Sequence, residues 1–323
     1  MTPSSFPRLL GDIGGTHARF AWLEAADRPL TRIHTYRCAE HPSLGDAISR
    51  YLQDQERPTP AACALGVANP VSGDEVRMTN HHWAFSISGL RQQLALPRLT
   101  VVNDFTALAL SLPSLRPQDL RPLGGGRAVP GGPLALIGAG TGLGVSGLFT
   151  TADGRHHPVA GEGGHATLAA MDEEEADILA LLRQSFGHVS AERALSGPGL
   201  VNLYQAAAQR AGCAPEPLSP DQVLARAREA RDPHGLTAID LFCRFLGSTA
   251  GNLALTLGAS GGVYIGGGVA PRLWPELQAS RFRERFEGKG RLRDYLAAIP
   301  CHLIDTEVSP ALLGASSALD QGI

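Results

Sequence analysis

Residues 8–16 read Arg8-Leu9-Leu10-Gly11-Asp12-Ile13-Gly14-Gly15-Thr16, and residues 136–143 read Leu136-Ile137-Gly138-Ala139-Gly140-Thr141-Gly142-Leu143. Each is an apolar run of strand length that closes on a glycine turn. A second apolar run follows each turn, at residues 18–24 and 145–150. Residues 9–16 can be laid over residues 136–143 at an offset of 127. Duplication of one strand–turn–strand unit would give two lobes facing a cleft, each presenting a glycine hairpin. Glycine hairpins also arise independently, and the repeat alone leaves both origins open. Asp12 of the first copy becomes Ala139 in the second. An acid kept on one side only is what an asymmetric magnesium–nucleotide site needs.

Outward from these hairpins, further strands are predicted at 31–36, 61–68, 99–102 and 262–265. Helices are predicted at 43–54, with Ser43 as N-cap, and from Asp104 through Leu112. Others follow at 173–184, 198–211, 221–230 and 236–257. Strands alternating with helices argue an α/β fold. With 323 residues, the chain is long enough for two domains. The Gly/Pro-rich stretch 118–133 is a candidate boundary. Small and apolar residues in 309–319 have the spacing of a helix that packs back on the first lobe. The expected lobes are therefore a small one, 1–114 plus 305–323, and a large one, 115–304.

Composition excludes several classes. Lys289 is the only lysine, and Gly290 follows it, so no G-x-x-x-x-G-K-[ST] phosphate loop exists. Schiff-base chemistry would have to use that one amine. The net charge of −3 gives no support for a nucleic-acid or membrane-surface partner. The first strand begins by residue 8, which leaves no room before it for a DNA-binding module. Five cysteines, far apart and without C-x-x-C, argue against a disulfide framework or a zinc site and fit a reducing cytoplasm. Two long uncharged stretches, 128–152 and 245–271, are rich in glycine and read as buried elements, not membrane spans.

Four groups of residues carry candidate chemistry. In Asp12-Ile13-Gly14-Gly15-Thr16, glycines let backbone N–H groups approach an anion. Asp12 would repel a bare phosphate, so it makes sense with a cation such as Mg²⁺ between them. Residues 138–144 suit a second phosphate. Within them starts a literal G-x-G-x-x-G, but a strand follows it where a dinucleotide fingerprint must open a helix. Asn103-Asp104 ends an apolar strand, where α/β sheets bind ligands; Asp104 reads either as a general base or as the cap of the next helix. Glu162-Gly163-Gly164-His165 lets an acid and an imidazole face one polar ligand, or is a surface loop. Glu192 could pair with Arg193 or be solvated. The pairs His81-His82 and His156-His157 have no ligand spacing, and the acids 172–175 open a helix.

Together these segments resemble the proteobacterial-type glucokinase family of the hexokinase/actin-like superfamily. The motifs that carry the likeness are residues 10–16, Met78-Thr79-Asn80-His81, residues 102–107, 138–144, 161–165, 187–193 and 195–203. The resemblance implies a two-lobed actin-like, ribonuclease H-like ATPase fold, each lobe a mixed sheet flanked by helices, with the active site in the cleft. It implies ATP-dependent phosphorylation of glucose at its 6-hydroxyl with Mg²⁺, in the cytoplasm, by a homodimer, with no nucleic-acid or membrane partner. By this likeness Asp104 is the base, and Asn103, Asp104, Glu162, His165 and Glu192 hold the sugar. Gly11, Asp12, Ile13, Gly14, Gly15 and Thr16 form one ATP hairpin, with Asp12 toward the metal. Gly140, Thr141 and Gly142 form the other, and Gly266, Gly267 and Gly268 part of the adenosine platform. Two departures stand out: His17 where the family has Asn, and Asn69 where it has Cys. The Cys-rich zinc motif of the related sugar kinases and repressors is missing. Three alternatives remain: a kinase for another hexose, a non-catalytic sugar-responsive regulator on the same fold, and an actin-like phosphatase without the sugar-ligand set.

Overall fold

The computed structural model describes residues 5–79 and 81–323; Asn80 of the Met78–His81 motif lies outside them. The chain forms two compact units. The first contains the chain up to Pro117, Thr151–Ala160 and Thr306–Ile323; the second contains Gln118–Thr150 and Gly161–Asp305. This division differs from the expected 1–114 plus 305–323 and 115–304. The boundary falls a few residues later, and Thr151–Ala160 groups with the first unit. A hydrogen bond holds it there: the His156 N–H donates to Gln321 Oε1 at 2.7 Å.

The first unit is built on a five-stranded mixed sheet. Its order is Thr31–Arg37, His17–Leu23, Arg8–Ile13, Ala62–Val67 and Leu99–Asn103. The first three strands are antiparallel, and the last two run parallel to Arg8–Ile13. The period of two along a strand sorts the side chains. Leu9, Ile13, Cys63, Leu65 and Val67 enter one core with Phe20, Trp22 and Tyr51. On the opposite face, a Cβ at Gly66 would sit 3.1 Å from Ala107 Cβ, so the helix Asp104–Ser111 covers that side. The helix Ala311–Gln321 packs on it so closely that a Cβ at Gly314 would lie 1.6 Å from the Ala107 carbonyl oxygen. Arg8, 1 % exposed, adds a tie by donating to Ser316 Oγ at 2.8 Å.

In the second unit five strands run in the order Leu143–Thr150, Leu134–Ala139, Gly262–Gly266, Cys301–Ile304 and Leu120–Pro122. The middle three are parallel and the outer two antiparallel to their neighbours. The 25-residue helix Pro233–Leu257 supplies Phe242, Phe245 and Leu246 to the core beneath them. Gly247 and Gly251 let the helix Phe282–Glu287 approach it: Cβ atoms there would fall 2.2 Å and 2.4 Å from the Phe282 and Phe286 carbonyl oxygens. The predicted helix 221–230 is shorter. Pro220–Ala225 is α-helical, and a wider turn, Arg226–Ala230, ends on Arg231 in the left-handed region. Among the described residues no helix is long and apolar enough to cross a membrane.

Candidate active site

The first unit gathers two carboxylates. Asp12 lies near the end of the central strand, whose turn is closed by the Gly14 N–H donating to the His17 carbonyl at 2.9 Å. Its carboxylate is mostly buried, 3.5 Å from Arg19 Nη1, and accepts from the Ser309 side chain. Burial lifts its pKa above the usual carboxylate range, opposed by Ser309 and Arg19. Ser309 could not have been found by reading near Asp12, since almost 300 residues separate them.

Asn103 and Asp104 follow at the C-terminal end of Leu99–Asn103. The cap of the next helix is Asn103: its Oδ1 accepts from the N–H groups of Phe105 at 2.9 Å and Thr106 at 3.2 Å. Asp104 is therefore free of the capping role that its position in sequence left open. Asn103 Nδ2 donates to Asp104 Oδ1 at 3.0 Å and to the Asn69 carbonyl at 3.3 Å. The Phe105 N–H is shared with Asp104 Oδ1 at 2.9 Å. Burial pushes the Asp104 pKa up to about 7, and the nearby charge of Asp12 adds to the rise; hydrogen bonds from Phe105 and Asn103 oppose it. A carboxyl poised near neutrality in a ligand-binding position has the acidity a general base needs.

In the second unit the loops that carry Glu162, His165 and Glu192 meet at one residue, Leu143. Glu162 and His165 flank a short 3₁₀ turn, Gly163–His165, and both are exposed. The turn sits directly on the strand beneath, because a Cβ at Gly164 would fall 2.0 Å from the Leu143 carbonyl oxygen. Glu192 reaches the same residue from another side: its Oε2 accepts from the Leu143 N–H at 2.9 Å. The Ala191 N–H to Ala166 carbonyl bond, 2.9 Å, and the Leu168 N–H to Val189 carbonyl bond, 3.0 Å, tie the two loops together. The loop of Glu192 thus lies beside the Gly163–His165 turn, and Arg193 lies over the Phe186 ring.

Gly140, Thr141 and Gly142 form the turn after Leu134–Ala139, closed by the Gly140 N–H donating to the Gly142 carbonyl at 2.8 Å. Gly142 has no room for a side chain, since a Cβ would be 2.5 Å from Glu192 Oε2. Gly266 ends its strand, and Gly267 follows at φ +80° with a hypothetical Cβ 2.3 Å from the Ala139 carbonyl oxygen. Gly268 and this hairpin border a cavity of about 530 Å³. Pro198, Leu200, Leu224, Val269 and Leu273 wall it, and Asp221 pairs with Arg272 in its lining. Sequence reasoning missed these walls, because apolar residues on separate helices carry no local signature.

The glucokinase family model matches residues 9–322. The chain belongs to the glucokinase family. Curated glucokinases are similar over almost all of it. That of Aromatoleum aromaticum is 54 % identical over 99 % of this chain and 96 % of its own. That of Chromobacterium violaceum is 50 % identical over 98 % and 90 %. Among solved structures, a glucokinase from an Antarctic psychrotroph superposes with a TM-score of 0.89 at 37 % identity, covering 97 % of this chain and 98 % of that one. A ROK-family glucokinase from Streptomyces griseus, in complex with glucose and AMPPNP, shares the fold at a TM-score of 0.63, 19 % identity and coverage of 96 % and 98 %. The chain is thus a glucokinase-family enzyme with the α/β fold of the two-lobed sugar kinases.

Proposed function

We propose that this chain transfers the γ-phosphoryl group of ATP to the 6-hydroxyl of glucose, with Asp104 as the base. The observation that carries the reading is the Asp104 carboxyl, released from helix capping by Asn103 and poised near neutral pH beside Asp12. Asp104 accepts the 6-hydroxyl proton as that oxygen bonds to the γ-phosphorus. The bond from the γ-phosphorus to the β–γ bridging oxygen breaks, and ADP leaves. The remaining task is positioning and charge stabilisation. Backbone N–H groups of Gly15 and Thr16 in the first turn, and of Thr141 and Gly142 in the second, face the phosphates, and the apolar cavity by Gly266, Gly267 and Gly268 takes the nucleoside.

Sugar hydroxyls need both acceptors and donors, because a buried unpaired polar group is costly. Glu162 and Glu192 accept, and His165 does either. Asn103 contributes its Nδ2, since its Oδ1 is committed to the helix.

The residues fit Mg²⁺. Asp12 is a hard oxygen donor whose burial resists ionisation, and a second carboxylate, Asp104, raises the local negative charge. Asp12 would hold the ion together with phosphate oxygens. When bound, Mg²⁺ supplies charge neutralisation for the transferred group. Family likeness also supports a cytoplasmic homodimer, which sedimentation would check.

A coupled ADP-release assay tests the proposal across hexoses and across ATP, ADP, pyrophosphate and polyphosphate. Glucose with ATP is expected to give the highest kcat/KM. A better hexose would make this another hexose kinase. Sugar binding without ADP release would make it a sugar-responsive binder, the reading opposed by the placement of Asp104.

A further inference from the structure

The strand Ala62–Val67 lies between Arg8–Ile13 and Leu99–Asn103 and runs parallel to both. Its C-terminal end therefore emerges between the strand that carries Asp12 and the strand that delivers Asn103 and Asp104. The mechanism above gives no role to the residues that follow it, Ala68-Asn69-Pro70. On one side the Ala68 N–H donates to the Ile13 carbonyl at 2.9 Å, just before the first glycine turn. On the other side the Asn69 carbonyl accepts from Asn103 Nδ2 at 3.3 Å. A tight turn aims that carbonyl, since the Asn69 N–H donates to the Val67 carbonyl at 2.7 Å. Pro70 narrows the aim further, because a proline disfavours helical backbone at the residue before it.

Asn103 is held at both ends of its amide. Its Oδ1 accepts from the N–H groups of Phe105 and Thr106, and its Nδ2 has two hydrogens to place. The Asn69 carbonyl takes one, and Asp104 Oδ1 takes the other at 3.0 Å. Turning the amide over would set its nitrogen against two N–H donors, and its oxygen against a carbonyl and a carboxylate. The network therefore fixes which end points where. Asn103 Nδ2 reaches Asp104 from a direction that the Asn69 backbone sets. The Asn69 side chain is engaged with its own loop: Oδ1 is buried, and Nδ2 donates to the Pro70 carbonyl at 3.0 Å. A position that contributes through its carbonyl tolerates a change of side chain, which fits Asn69 standing where the family has Cys.

We infer that Ala68-Asn69-Pro70 is a positioning strap for the base. The Asn69 carbonyl holds one hydrogen of Asn103 Nδ2, and so keeps the other on Asp104 and on the sugar hydroxyl that Asp104 receives. The inference rests on the reading of Asp104 as the base. The strap acts through Asn103, so its loss should fall on turnover and leave nucleotide binding alone.

Pro70→Gly tests it. Pro70 is exposed, so the change removes no core contact, and it frees the Asn69 backbone to turn its carbonyl away. The kcat for glucose phosphorylation is expected to fall about 10-fold while the KM for ATP stays within about twofold, the pattern of a reacting pair held less well in place. The second readout is the Asn103 side-chain amide pair in ¹⁵N spectra, assigned by its loss in Asn103→Asp. Its hydrogen exchange with solvent should quicken about 10-fold in Pro70→Gly, as one of its two acceptors lets go. Asn69→Ala keeps both the carbonyl and Pro70, and should change kcat and exchange by no more than about twofold. If Pro70→Gly leaves kcat at its wild-type value, or lowers it with exchange unchanged, the inference fails while the kinase reading stands. If Asn69→Ala is as damaging as Pro70→Gly, the side chain acts and not the carbonyl, which overturns the inference as well. A wild-type protein that does not turn over glucose would remove the kinase reading itself, and the strap's role with it.

Discussion

The two glycine hairpins have the same wiring and different chemistry. In each, a central strand pairs antiparallel with the strand that follows it and parallel with a later one. Arg8–Ile13 does so with His17–Leu23 and Ala62–Val67; Leu134–Ala139 does so with Leu143–Thr150 and Gly262–Gly266. At equivalent places stand Asp12 and Ala139. Around the first, a second carboxylate, Asp104, is close enough for the charge of Asp12 to raise its pKa. Around the second, Glu192 takes the N–H of Leu143, and the Gly197 N–H donates to the Gly140 carbonyl at 2.8 Å. Backbone geometry that can cradle an anion is present twice, whereas the buried acid that can respond to pH and to a cation is present once. In the proposed mechanism, proton transfer and metal binding belong with the first hairpin, and nucleoside binding and most sugar contacts with the second.

The strongest test of that division is Asp104→Asn. It keeps size and a sugar hydrogen bond but cannot accept a proton, so kcat should fall by about 10²–10⁴-fold. Glucose affinity, measured by calorimetry, should remain near wild type, as expected for an interaction made mainly in the transition state. Near-normal turnover would remove Asp104 from the mechanism. Asp12→Asn comes next. Losing one preorganised electrostatic partner typically costs about 10²–10³-fold in kcat. The apparent Mg²⁺ requirement should rise with it, read from initial rates over a magnesium series. An unchanged magnesium dependence would break the asymmetry between the hairpins.

On the second side the effects should be smaller and should fall on binding. Glu162→Gln and His165→Ala each leave sugar hydroxyls unpaired, for roughly 1–3 kcal/mol. The KM for glucose should rise about 10- to 100-fold while the KM for ATP stays put. Glu192→Gln should raise both, because the same carboxylate holds the Leu143 N–H beside the Gly140–Gly142 turn. If Glu192→Gln affects glucose alone, its contact with the hairpin has no functional weight.

Much of this was legible in the chain because glycine and strand periodicity are local signals. Both hairpins, the Ser43 cap and the strand ending at Asn103 follow from neighbours within a few residues, and Ser43 Oγ does accept from the Asp46 N–H at 3.1 Å. The helix Ala311–Gln321 was readable from small residues at helical spacing, and Gly314 against Ala107 is the reason for them. Long-range features were not legible. Nothing near Thr151–Ala160 announces that it follows Gln321, and nothing near Asp12 announces Ser309. That the cap is Asn103 and not Asp104 depends on which residue keeps the extended backbone before the helix, since either residue type caps well. The cavity walls come from separate helices whose apolar faces look like ordinary core.

The smallest expected effect is on stability, and it too should be confined to the acidic hairpin. Burial pushes the folded-state pKa of Asp104 up to about 7, against about 3.9 for an ordinary Asp carboxyl. Between those values the folded chain binds a proton that the unfolded chain has released. Stability therefore falls as pH rises through that window and levels off above it. Wild type carries the full burden of a buried charge at pH 8, little of it at pH 4. Asp104→Asn is neutral throughout. It should melt higher than wild type at pH 8, with a ceiling of roughly 4 kcal/mol from about three pKa units at about 1.4 each. The advantage should shrink steadily toward pH 4. Melting temperatures of both proteins from pH 4 to 8, without nucleotide or magnesium, give the slope directly. An Asn variant that is less stable than wild type at pH 8 would mean that Asp104 is held as a favourable anion. Its poise near neutrality would then be lost, and with it the reason that the first hairpin, and not the second, takes the proton.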